Sequence, residues 1–507
     1  MNTSYTKNYG FSAIRRSLRP LLLGKGMRLF VTVAVTVLLA RYLEKTEYAV
    51  YISLQALITI VGMVSSVGIQ QSMLRYIPEL RSSGNNHTMY WLLSRGMLAR
   101  ASMVIVVLLL GLPFAFMFGD ELGLETWLWV LPWYAGVGVL RLSAFSLSQS
   151  LEALLWQKQA QYGMAIGGFA RLVGVIAVMK WGVLDLWAVV LIELFSELLS
   201  LVVMSTGWYF KRSADAQRAE GNHNWWQENR KRVIKFGLWS GLLNQTRTLY
   251  GSAPNRLVAA HFMGSAELAL FGFADNLNNI AGRLMPTNMM MSMIRPVFIA
   301  HYSEKQDFSQ LVGLSNLVYR LNLSLLALPM TLLVVVGEPF LNWLTADKYG
   351  AAAYLLAGFL ALMLTEGLRT TLELLVQTVE KNQILLSNLI QSGSLLVAIP
   401  LFPYLGLWSL IVVNILGTMS ANIVVVLLLR KHGYVVHFDY GLALLVAFYS
   451  LLSGALGYWC LTVTSSYLLA AVVSVLVYIA CMAVKPPLLK KEKEMLTSLA
   501  RGRLGKT

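Results

Sequence analysis

The feature that most constrains this chain is the recurrence of apolar segments of about 20 residues, long enough to cross a roughly 30 Å hydrocarbon layer as helices. They follow one another with short interruptions from about Leu18 to about Lys485. The spacing predicts spans at 18–42, 49–71, 98–118, 126–149, 163–182, 184–208, 236–260 and 266–296. Six more are predicted at 316–343, 351–376, 383–402, 406–430, 440–463 and 467–485. In a bilayer the backbone must satisfy its own hydrogen bonds, so the expected fold is all-α and polytopic, with about fourteen transmembrane helices. Only 13% of the 507 residues are charged, against about 25% in a soluble domain. No segment between the spans is long enough for a soluble domain. The first span follows an Arg/Lys-rich leader without a small-residue cleavage site, so it is expected to be retained, with the chain starting near Met1.

A formal charge of +16 would suit a nucleic-acid partner, but its distribution argues against one. Basic residues gather in alternate connections. One set holds Arg15, Arg16 and Arg19; Arg75, Arg81 and Arg95; Lys211, Arg212, Arg218, Arg230, Lys231, Arg232 and Lys235; Arg430 and Lys431; and the tail from Lys485 to Lys506. Positively charged short loops stay in the cytoplasm, so both termini are expected there, in a bacterial inner membrane. The opposite connections are short and neutral or acidic, such as Gly119–Glu125 and Thr464–Ser466. Cys460 and Cys481 fall inside apolar segments and offer neither a disulfide framework nor a metal site. Trp127, Trp129, Trp133, Trp181, Trp187, Trp343, Trp408 and Trp459 sit near span ends, where amphipathic rings anchor at the interface.

Shifting the chain by about 220 residues lays Leu38–Tyr51 over Val258–Phe271 without a gap, matching Glu47 with Glu267 and Ala49 with Ala269. Leu110–Phe114 likewise resembles Leu326–Met330. The expected organisation is an N-terminal lobe of six spans (1–210), a basic cytoplasmic connector (211–235), a C-terminal lobe of six spans (236–432), two appended spans (433–485) and a basic tail (486–507). An even number of helices per repeat makes the two lobes parallel in orientation.

Ionisable groups interrupt these spans: Lys25, Arg28, Arg141, Arg171, Glu193, Glu197, Arg247, Arg256, Asp275, Arg283, Glu366, Arg369 and Glu373. A central arginine facing lipid costs roughly 2.5–3.5 kcal/mol on insertion scales, so these side chains should face a polar interior. Lys25, Arg28, Thr32 and Thr36 share one helix face, and their counterparts under the offset are Gln245, Thr248, Ser252 and Arg256. Asp275, Asn279 and Arg283 form a second stripe, and Glu193 and Glu197 a third. Lys25, Arg28, Arg141, Arg171, Arg247, Arg256 and Arg283 are candidates to bind an anionic substrate. Glu193, Glu197, Asp275, Glu366, Arg369 and Glu373 are candidates for internal ion pairs or for H⁺ or Na⁺ coupling. No catalytic constellation, nucleotide-binding loop or metal motif is present, and no other cofactor is expected.

Several stretches carry a family resemblance. Gly24–Gly26, Ala40–Leu43 with Tyr48, and Gly68–Glu79 resemble the start of polysaccharide exporters of the Wzx type, in the multidrug/oligosaccharidyl-lipid/polysaccharide superfamily. Lys235–Leu238, Leu328–Pro329, Gly337–Leu341 and Tyr404–Leu407 continue the likeness. The resemblance implies two lobes around a cavity that opens alternately to either side. It also implies flipping of undecaprenyl-diphosphate-linked oligosaccharide from the cytoplasmic to the outer leaflet for O-antigen or exopolysaccharide synthesis, alongside a polymerase and export machinery. Many relatives carry an acidic residue early in span 7, where this chain has Asn255-Arg256. Two alternatives remain open at this point: a cation-coupled multidrug exporter of the same superfamily, and a membrane-embedded glycan polymerase or ligase.

Overall fold

The structure is a computed structural model, and it describes residues 11–82, 85–119, 124–154, 156–216, 224–248, 251–285, 308–379, 381–438 and 440–486. Among these residues there is no β-strand. The α-helices are α1 (Phe11–Tyr42), α2 (Lys45–Val64), α3 (Ile69–Ser82), α4 (Asn86–Met117), α5 (Leu131–Ala153), α6 (Gln157–Trp181), α7 (Leu186–Ala216) and α8 (Trp225–Thr248). They continue with α9 (Ser252–Phe262), α10 (Ser265–Leu284), α11 (Phe308–Thr345), α12 (Ala352–Thr378), α13 (Asn388–Leu405), α14 (Leu407–Lys431), α15 (Tyr440–Thr464) and α16 (Tyr467–Val484). The expected all-α membrane fold is thus present.

Among the described residues, eleven helical segments are long and apolar enough to cross a membrane. The other three expected spans are spans 1, 7 and 8. Span 1 is α1, a continuous helix that holds Lys25 and Arg28. Span 7 is not one helix: α8 ends at Thr248, Gly251 is fully extended (φ −175°, ψ 177°), and α9 restarts at Ser252 with Pro254 in its first turn. Span 8 is described as α10 up to Leu284, and the expected remainder to 296 lies outside the described residues.

Turn chemistry sets several boundaries. The Asn85 side chain accepts the Thr88 backbone N–H at 3.2 Å to start α4. Gly406 takes φ 53° between α13 and α14, and Ser465 takes φ 51° in the tight Thr464–Ser466 turn. The α2–α3 turn depends on Gly68, at φ 76°. A Cβ there would lie 1.7 Å from the Gly237 carbonyl oxygen, and one on Gly241 would lie 2.6 Å from the Gly68 nitrogen. Gly237-x-x-x-Gly241 on α8 therefore lets a helix backbone touch a turn backbone, the close approach that small residues permit within membranes.

The chain divides into two compact units, Met1–Gly272 and Phe273–Thr507. In the first, α6 packs on α1 and α7, α5 on α7, α4 on α3 and α5, and α9 on α2. One core gathers Met73, Tyr76, Leu93, Leu147, Leu151, Trp156 and Met204. In the second unit, α13 pairs with α14, α11 with α12, and α15 with α16, while α15 and α16 both pack on α11. Its core joins Leu311, Leu372, Leu375, Ile384, Val425 and Leu429.

Candidate functional site

In the first unit, five helices bring polar side chains to one buried cluster. Glu193 on α7 is completely buried. Its Oε2 accepts Arg141 Nη2 of α5 at 2.7 Å, and its Oε1 pairs with Arg171 Nη2 of α6. Arg141 also donates Nε to Glu197 Oε1 at 2.8 Å, one helical turn beyond Glu193. From α2, the Tyr51 hydroxyl donates to Glu193 Oε1 at 2.7 Å and accepts from Arg171 Nη2. Gln55, one turn further along α2, donates Nε2 to the same hydroxyl at 2.6 Å. Its Oε1 accepts Arg256 Nη1 of α9 at 3.3 Å. The result is one hydrogen-bonded polar chain, Glu197–Arg141–Glu193–Arg171/Tyr51–Gln55–Arg256, that includes three guanidinium groups.

The cluster also holds unused hydrogen-bonding capacity. Arg171 Nε is buried without a hydrogen-bond partner among the described residues, as is the hydroxyl of Tyr134 on α5. The arginine side chains keep a partly open face, 24% exposed for Arg141 and 23% for Arg171, while Arg256 is 4% exposed. Charged groups removed from water cost several kcal/mol each, and well-packed apolar residues usually stabilise a fold as well as a buried ion pair does. Fold stability alone therefore does not account for this cluster.

The remaining candidates lie elsewhere. On α1, Lys25 is exposed and Arg28 half-buried, and both are within electrostatic reach of Glu152 at the end of α5. Gln161 Nε2 of α6 donates to that Glu152 carboxylate at 2.9 Å. The Arg247 side chain lies outside the described residues. In the second unit Asp275 is buried, Arg283 exposed and Glu366 half-buried. There Arg369 and Glu373 of α12 approach to 3.5 Å, and Arg369 donates to Asn388 Oδ1 at 3.0 Å, the Ala421 carbonyl at 3.1 Å and Ser387 Oγ at 2.8 Å. That arrangement ties α12 to the start of α13 and to the second half of α14. No group of His, Cys, Asp and Glu that could hold a metal occurs among the described residues.

Sequence reasoning missed Tyr51, Gln55, Glu152 and Arg100. The first two are uncharged, and an alternation of apolar and polar residues on span 2 does not mark them out. Arg100, buried in α4, donates to Ser65 Oγ at 2.8 Å and to the Gly62 carbonyl at 2.7 Å, satisfying the C-terminal end of α2.

A family model described as a polysaccharide biosynthesis protein matches residues 38–354, well over half of the chain. None of the curated proteins matches it. Among solved structures, the fold is similar to "Lipid II flippase MurJ, inward closed conformation", with a TM-score of 0.61 and 11% identity over 92% of this chain and 98% of that one. It is also similar to a MATE family multidrug resistance transporter of the MOP superfamily, inward-facing (TM-score 0.53, 14% identity, 83% of this chain and 98% of that one). An outward-facing structure of a MATE family multidrug resistance transporter of the MOP superfamily gives a TM-score of 0.50 at 14% identity, over 85% of this chain and 98% of that one. The chain belongs to the polysaccharide biosynthesis protein family, on a polytopic all-α fold like that of these transporters.

Proposed function

We propose that this protein is a flippase that carries an undecaprenyl-diphosphate-linked oligosaccharide from the cytoplasmic to the outer leaflet by alternating access. The observation that carries this reading is the buried Arg171 Nε donor left without an acceptor among the described residues, in a cluster that gathers arginines from three helices. A diphosphate would supply acceptors for that donor, while the prenyl tail stays in lipid. Arginine suits this task because its planar fork binds phosphate oxygens in pairs. A cationic drug would meet repulsion at the same cluster, which disfavours the drug-export alternative. Lys25 and Arg28, on a separate helix face, would attract the headgroup before it reaches the cluster. Arg247 and Arg283 complete the proposed set of anion-attracting residues.

Family membership supports a role in glycan assembly, and the fold supports transport over glycan bond formation. H⁺ or Na⁺ coupling through Glu193, Glu197, Asp275 or Glu366 fits the same scheme, as does functional association with a polymerase and export machinery. The test is substitution of Arg256 and Arg141 by alanine and by lysine, followed by quantification of outer-leaflet lipid-linked glycan at matched expression. Loss of one charge-assisted phosphate contact is worth about 1.5–3 kcal/mol, so alanine should lower transport by about tenfold or more. Lysine should restore part of it. Unchanged transport in both alanine variants would refute the reading.

A further inference from the structure

Tyr51 and Gln55 stand between two arginine groups that come from different parts of the sequence. Arg141 and Arg171 lie on α5 and α6, and Arg256 lies on α9, more than eighty residues further along the chain. No hydrogen bond in the cluster joins Arg256 to Glu193 directly; the path runs through the Gln55 amide and the Tyr51 hydroxyl. Each atom on that path is used in one sense. The hydroxyl has one proton, given to Glu193 Oε1, and two lone pairs, occupied by Gln55 Nε2 and Arg171 Nη2. The Gln55 amide is thereby oriented with nitrogen toward Tyr51, which leaves its oxygen for Arg256. A Glu193 carboxylate held by two guanidiniums thus fixes the direction of a chain that ends on a third.

The offset of 220 residues sharpens the point. It lays Tyr51 over Phe271 and Gln55 over Asp275, and both aromatic rings are fully buried. A phenylalanine satisfies the packing at the equivalent position, so packing alone does not require the hydroxyl at position 51. We infer that Tyr51 and Gln55 are positioning residues that hold Arg256 in register with the Arg141–Arg171 pair, so that the three guanidiniums act on one diphosphate as a single unit. This inference rests on the anionic-cargo reading above.

The test is a double-mutant cycle on the full-length protein in detergent, with the water-soluble probe geranyl diphosphate and its dissociation constant as the readout. Tyr51→Phe and Arg256→Ala should each weaken binding by about fivefold, and the double variant should bind no more weakly than the weaker single, because the interaction is already broken. Gln55→Met cuts the same path at its other joint and should show the same non-additivity with Arg256→Ala, which keeps the test available should Tyr51→Phe not fold. The unfolding temperature of Gln55→Met should stay near the wild-type value while its dissociation constant rises. Fold-changes that multiply in both cycles would overturn the inference and leave the cationic site intact. Absence of wild-type binding to the probe would overturn the anionic-cargo reading on which it stands.

Discussion

At the scale of single residues, the same kind of ion pair does two different jobs in this chain. Arg369 and Glu373 are one turn apart on α12, and Arg369 spends its donors on Asn388, Ala421 and Ser387, which is what an arginine that ties neighbouring helices together does. Glu193 instead draws arginines from two other helices and leaves Arg171 Nε without an acceptor. Glu193→Gln leaves Arg171 without its carboxylate and Arg141 with Glu197 alone, and is expected to cost about 3 kcal/mol, read as a lowered midpoint of thermal unfolding in detergent. Arg369→Ala should lower that midpoint too, yet leave the affinity for geranyl diphosphate at its wild-type value. Arg100→Ala removes two hydrogen bonds at the end of α2 and should cost about 1–3 kcal/mol in the same assay. Every charged member of the Glu193 cluster stood out in the sequence as an ionisable group inside an apolar span. Its uncharged links, Tyr51 and Gln55, did not, because hydrogen-bond partners 142 and 201 residues away leave no trace in local spacing.

At the scale of elements, glycine positions control how closely the helices approach. Gly68 needs both its positive φ and its missing side chain, since a Cβ would collide with backbone rather than with a movable side chain. Gly68→Ala is therefore expected to prevent accumulation of folded protein, measured as the monodisperse fraction on size-exclusion chromatography. A milder case is Gly272, where a Cβ would meet Ile52 Cγ1 and Cγ2 at 2.5 Å. Gly272→Ala should destabilise by about 1–3 kcal/mol through overpacking, and a second change, Ile52→Ala, should relieve part of that loss. The helices themselves were legible from apolar length and turn residues, down to the Thr464–Ser466 turn. The break in span 7 was not, because Leu238 to Ala260 keeps enough apolar residues to be read as one span, and only Gly251 and Pro254 mark the interruption. Gly68 and Lys235–Leu238 stand in the sequence as separate motif fragments, and the close approach of Gly68 and Gly237 gives both a common physical reason.

At the scale of the whole molecule, orientation and cargo belong to one account. The basic loops predict that a green fluorescent protein fused after Thr507 fluoresces and that alkaline phosphatase fused there stays inactive, the reverse pattern indicating an exterior C-terminus. The same expected orientation would put Arg28 toward the cytoplasmic end of its span, where a newly made lipid-linked glycan would arrive. The central claim is that the protein changes the leaflet of that glycan and not its covalent structure. The direct measurement is the leaflet distribution and chain composition of lipid-linked glycan in cells depleted of this protein, then supplied with the wild type or with Arg256→Ala. The account predicts that depletion leaves intact glycan in the cytoplasmic leaflet, that the wild type returns it to the outer leaflet unaltered, and that Arg256→Ala does so at about a tenth of the rate or less. An outer-leaflet pool unchanged by depletion, or a glycan whose length or linkage changes with the protein, would contradict it.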